Sequence, residues 1–85
     1  MNYTVFITPK AKKALETIPS PSYERIEEAL QNLSVNPRPP GCKKLKGEEK
    51  HWRIRASDYR ILYEINDGSA SVIVFRIGHR SEVYR

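Results

Sequence analysis

Arginine carries most of the chemistry available to this chain. Arg53 and Arg55 stand two residues apart, Arg60 follows closely, and Arg76 and Arg80 lie further along. A guanidinium is a planar fork of donors that matches the oxygens of a phosphate through paired hydrogen bonds. It stays protonated near neutral pH, so it neutralises charge well and removes protons poorly. Groups fitted to proton transfer are few. His51 and His79 are the two imidazoles, and Tyr84 offers a phenol beside the last arginines. No catalytic dyad identifies an enzyme from the residues alone. Cys42 is the single cysteine, which excludes an intrachain disulfide and gives no thiol cluster for zinc. No metal or cofactor is expected, and the cysteine usage fits a reducing, cytoplasmic setting.

The charge balance points the same way. Formal net charge is +5, and its distribution is uneven: residues 1–42 hold 5 Lys/Arg against 4 Asp/Glu, whereas residues 43–85 hold 10 against 6. A positive surface favours a polyanion or an acidic protein partner. Charge of this size is also common among ordinary domains, so it does not choose a ligand. Met1 to Phe6 lack the basic and apolar regions of a secretory signal. The longest apolar run, Val72 to Phe75, is too short to span a bilayer, so no membrane partner is expected.

The elements that must position the arginines read as follows. With 85 residues the chain is expected to form one domain, 1–85, with a thin core of helices on one face of a sheet. Tyr3 to Ile7 reads as a strand. Thr8 and Pro9 supply a cap and a first helical residue, and Ala11, Ala14, Leu15 and Ile18 then recur on one helical face. Ser20–Pro21 repeats that start signal for a second helix, with Tyr23, Ile26, Leu30 and Leu33 as its buried stripe. Asn36 to Gly41, with three prolines, must cross as a loop, ordered or flexible. A short edge strand over Lys43 to Lys46, then strands over His51 to Ala56, Tyr59 to Ile65 and Ala70 to Ile77, complete the chain, with Asn66–Asp67–Gly68 as a hairpin turn. The fold class is α+β, of coarse order β-α-α-β-β-β, a two-helix hairpin packed on one face of a small, mostly antiparallel sheet.

Strand alternation makes a sharper statement. If Trp52, Ile54 and Ala56 point toward the helices, Arg53 and Arg55 point away. Tyr59, Ile61, Tyr63 and Ile65 then take the core side, leaving Arg60, Leu62 and Glu64 opposite. On the last strand Ile73, Phe75 and Ile77 are expected in the core, with Val74, Arg76 and Arg80 opposite. The helix-free face would thus collect guanidinium groups. Two readings of it stand side by side: an anion or RNA site, or an ordinary solvated face whose arginines pair with Glu48, Glu49, Glu64 and Glu82. Trp52, Tyr59 and Tyr63 read as core aromatics. Alternation sets His79 on the face opposite Arg80.

Three stretches add a resemblance. Lys44–Leu45–Lys46–Gly47, His51–Trp52–Arg53–Ile54–Arg55 with Asp58–Tyr59–Arg60–Ile61–Leu62–Tyr63, and the run Ile77 to Arg85 together resemble the RelE/ParE family of toxins from type II toxin–antitoxin pairs. The RelE branch implies a ribosome-dependent endonuclease that cuts messenger RNA and inhibits translation. In that reaction a 2′-hydroxyl attacks the adjacent phosphorus and leaves a 2′,3′-cyclic phosphate and a 5′-hydroxyl. Carried over, the resemblance selects Arg53, Arg55, Arg60, His79, Arg80 and Tyr84 as catalytic; Lys44, Lys46, His51 and Arg76 are read together with Arg53 and Arg55 as RNA-binding. It implies an antitoxin, the ribosome and messenger RNA as partners. Some relatives have Lys–Lys where this chain has Arg53 and Arg55, and arginine there argues against proton abstraction. The ParE branch implies DNA gyrase inhibition instead. A third reading is an inactive, antitoxin-binding regulatory member.

Overall fold

The computed structural model describes residues 2–47 and 50–79. Its elements are β1 (Thr4–Ile7), α1 (Pro9–Glu16), α2 (Ser22–Val35), β2 (Lys43–Lys44), β3 (His51–Ala56), β4 (Tyr59–Asn66) and β5 (Ser71–His79). The five strands form one sheet in the order β1-β5-β4-β3-β2. Only the β1–β5 pair is parallel, and it makes β5 an interior strand between β1 and β4. This is the expected α+β plan, with the two helices on one face. Among the described residues no helix is long and apolar enough to cross a membrane.

Local chemistry starts α1 as read. The Thr8 hydroxyl oxygen accepts from the Ala11 amide at 3.3 Å, and Pro9 occupies the first turn. Ala11 and Leu15 bury that helix, and Ile18 is buried just beyond its end. The start of α2 differs. Pro21 holds the cap position without a side-chain bond, while the Ser20 hydroxyl donates to the Glu24 carboxylate at 2.7 Å. The buried stripe begins at Ile26 and continues through Leu30 and Leu33; Tyr23 is exposed. The edge strand is shorter than expected, two residues rather than four.

The main correction lies in β5. Val72 and Val74 are fully buried in the helix-side core, together with Ile77, whereas Ile73 and Phe75 lie outside it. Register explains the change. Leu62 pairs with Arg76 and Tyr63 pairs with Val74, so Phe75 is an extra residue opposite no partner. This β-bulge puts Phe75 and Arg76 on the same, helix-free side and resets the alternation before Ile77. A strict period of two cannot anticipate an inserted residue.

The proline-rich crossing is ordered. The Tyr63 hydroxyl donates to the Pro37 carbonyl at 2.7 Å, and burial pushes that phenol's pKa up. Next to it the Arg38 guanidinium forks onto Asp67 at 2.9 and 3.2 Å and lies 5.1 Å from the centre of the Trp52 ring. The Tyr3 hydroxyl donates to the same carboxylate at 2.7 Å. One clamp thus ties β1, the crossing and the β4–β5 turn, and these two donors hold Asp67 down at about 2.

Candidate functional site: an arginine-lined sheet face

The helix-free face is built in rows across the strands. Lys43, Arg53, Leu62 and Arg76 are successive partners on β2, β3, β4 and β5. The neighbouring row runs Arg55, Arg60 and Gly78. On the other side of the Lys43 row lie His51, Glu64, Ile73 and Phe6. Alternation therefore does gather Arg53, Arg55, Arg60 and Arg76 with His51, as the strand pattern predicts.

Electrostatics distinguishes this face from an ordinary charged surface. Glu64 lies 3.6 Å from His51, and among the described residues no carboxylate forms an ion pair with Arg53, Arg55 or Arg60. Arg55 and Arg60 stand directly opposite each other, an arrangement that costs about 0.2–1 kcal/mol relative to a neutral pair. Arg53 is only 9% exposed, and its Nε is buried without a hydrogen-bond partner. Leaving such a donor unsatisfied costs about 1–3 kcal/mol. Arg53 and Arg55 also line a cavity of about 400 Å³ beside the outer edge of β3, with Lys43, Asn32 and the 39–41 loop. Its charged walls are all cationic.

Other sequence-predicted positions fall elsewhere. Lys44 is in register with Trp52, on the helix side, so Lys43 rather than Lys44 joins the arginine row. Lys46 is exposed past the end of β2. His79 is opposite Tyr59 with the two rings edge to face at 5.6 Å, beside a cavity of about 290 Å³ that also touches Ala14 and Ile18 of the helical layer. The sheet thus separates His79 from the arginine rows. Arg80 and Tyr84 lie outside the described residues, as do Glu48, Glu49 and Glu82.

Three features escaped the sequence reading. Lys43 had a readable signal, since it shares parity with the arginines once β2 is paired. Arg38 had none, because its partner Asp67 is 29 residues away. Phe75 joins the helix-free face only through the bulge; its ring centre is 4.7 Å from that of His51, and in the adjacent row Leu62 is 5% exposed.

Comparison with known proteins decides the family. The model for the ParE toxin of type II toxin–antitoxin systems matches residues 5–84. The chain belongs to the RelE/ParE toxin family. Toxin RelG of Mycobacterium tuberculosis is 34% identical over all of this chain and 99% of its own length. A putative toxin RelE1 of Methanocaldococcus jannaschii is 26% identical over all of this chain and 98% of its own length. Among solved structures, RelE in the archaeal RelE–RelB complex of Pyrococcus horikoshii superposes with a TM-score of 0.84 at 28% identity, covering 98% of this chain and all of that one. Isolated RelE of E. coli superposes at 0.80 with 29% identity, covering 96% of this chain and 90% of that one. The RelE/ParE sheet is therefore the frame on which the arginine rows are carried.

Proposed function

We propose that this RelE/ParE toxin is a ribosome-dependent RNA endonuclease whose site is the helix-free face, and that a cognate antitoxin silences it. The observation that carries the reading is the set Arg53, Arg55 and Arg60, brought together without a carboxylate partner among the described residues. Uncompensated cations on one rigid sheet are held ready for an anion that arrives with the substrate. Arg60 contacts the scissile phosphate and neutralises charge that grows on its oxygens as the 2′-hydroxyl attacks. Arg53 and Arg55, with Lys43 beside them, hold the neighbouring backbone so that nucleophile and leaving oxygen stay in line. Resemblance adds Arg80 and Tyr84 to the same site. His51 lies on the RNA-facing side and His79 does not, so His79 takes no part in catalysis. The antitoxin reading is supported by relatives that were solved as RelE–RelB complexes. An acidic segment suits the cationic face, by charge complementarity.

Mapping RNA ends on ribosomes after brief expression tests this. Cleavage within ribosome-bound messages is expected, and Arg60→Ala lowers it about 10²–10³-fold, the cost of removing one preorganised charge-stabilising donor. The folded stability of Arg60→Ala stays unchanged or rises slightly, because the opposition with Arg55 is relieved. Arrest with intact messages would overturn the endonuclease; gyrase-dependent DNA damage in its place would assign the chain to ParE-type activity instead.

A further inference from the structure

We infer that the corner of the helix-free face holding Phe6 and Phe75 is a nucleobase-stacking site, which seats an unpaired base of the RNA while the arginine rows hold its phosphates. This rests on the RNA reading above and extends it to residues outside the arginine set. Phe6 is 54% exposed, and its strand partner on that face is Ile73. Val5 and Ile7 pack on the helix-side core, so Phe6 points away from the helices. The bulge turns Phe75 to the same side, and His51 lies against its ring. A single exposed phenylalanine is unremarkable on any protein. Here aromatic and apolar side chains on β1 and β5 adjoin the arginine rows.

The two halves of the face suit the two halves of a nucleotide. Rows on one sheet face are about 7 Å apart along the strands, and strands are about 4.8 Å apart across them. The row of Phe6 and Ile73 thus lies one step from the Lys43–Arg53–Arg76 row and two steps from Arg60. Its ionisable members are Glu64 and His51, 3.6 Å apart, and the Glu64 carboxylate repels a phosphate. A flat apolar ring beside that carboxylate accepts a base and turns the backbone toward the guanidinium side. Single-stranded nucleic acid is bound in this way, by aromatic faces for bases and cations for phosphates.

The test compares a short single-stranded RNA with the same strand carrying abasic riboses, each titrated against full-length protein by fluorescence anisotropy at one salt concentration. Phe6→Ala and Phe75→Leu are expected to weaken binding of the intact strand on the order of ten-fold. Binding of the abasic strand stays unchanged, and Phe6→Trp restores the intact-strand affinity. Wild-type affinity in both variants would overturn the inference. So would equal losses on the two strands, failure of the wild type to prefer bases, or a loss confined to a protein partner. Ribosomal cleavage is scored in parallel to keep the two readings apart. Base-dependent binding without cleavage sinks the endonuclease and leaves the stacking site standing. Cleavage that is indifferent to both variants sinks only the stacking site.

Discussion

The two faces of this sheet are made from the same strands and obey opposite rules. Toward the helices, Ile61, Tyr63, Val72 and Val74 are fully buried, and the Tyr63 hydroxyl has its acceptor at Pro37. Away from them, Arg55 opposes Arg60, and Arg53 is buried with an unpaired Nε. The first face supplies stability through apolar burial, at about 25 cal/mol per Å². The second spends a little of it on charges that have no carboxylate counterpart among the described residues. Local conflict of this kind, within an otherwise consistent structure, marks where function has displaced stability.

Neighbouring residues on β5 offer the strongest challenge to that contrast. Val74→Asp puts a charge in the core and is expected to cost at least about 4 kcal/mol, enough to abolish the folded circular-dichroism spectrum. Ile73→Asp, on the helix-free side, should cost only about 1–2 kcal/mol and leave a cooperative urea transition. The reverse ranking would mean that the bulge at Phe75 is wrong and that simple alternation holds.

A middle-sized effect tests the stability cost of the arginine face. Arg53→Met removes the unsatisfied donor while keeping the apolar stem, so the urea midpoint should rise by the equivalent of about 1 kcal/mol as cleavage falls. A lower midpoint would show that Arg53 supports the fold, and the distinction between the faces would lose its main example.

The smallest effect concerns the clamp at the end of the sheet. Asp67 titrates at about 2 in the folded protein, against an ordinary 3.8, because Arg38 and Tyr3 donate to it. The clamp's contribution is therefore complete above the ordinary value and is lost as pH falls through the folded one. Asp67→Asn should be less stable at neutral pH and show a shallower loss of stability on acidification through that window, read from urea midpoints at a series of pH values. An unchanged slope would show that the clamp contributes nothing to acid stability.

Much of this arrangement was legible along the chain. Thr8 and Pro9 announce α1, and the alternation through Trp52, Arg53, Ile54 and Arg55 separates the two faces of β3, because caps and pleats are decided by residues only a few positions apart. The grouping of Arg53, Arg55 and Arg60 follows from that alternation and one tight turn. The family resemblance selected the same three residues.

Relations across the fold were not legible. The bulge depends on how β5 settles against β4, and a single extra residue exchanges Ile73 and Phe75 for Val72 and Val74 in the core. The Arg38–Asp67 clamp joins residues 29 apart, and nothing local to either names the other. Alternation already set His51 with Arg53 and His79 on the opposite face; the register adds their partners, Glu64 for His51 and Tyr59 for His79. Sequence alone determined which elements form and that their arginines share a face, since both follow from local geometry. Tertiary structure decided which aromatic and apolar residues of β5 accompany them, because that requires strands distant in the chain to meet in one register.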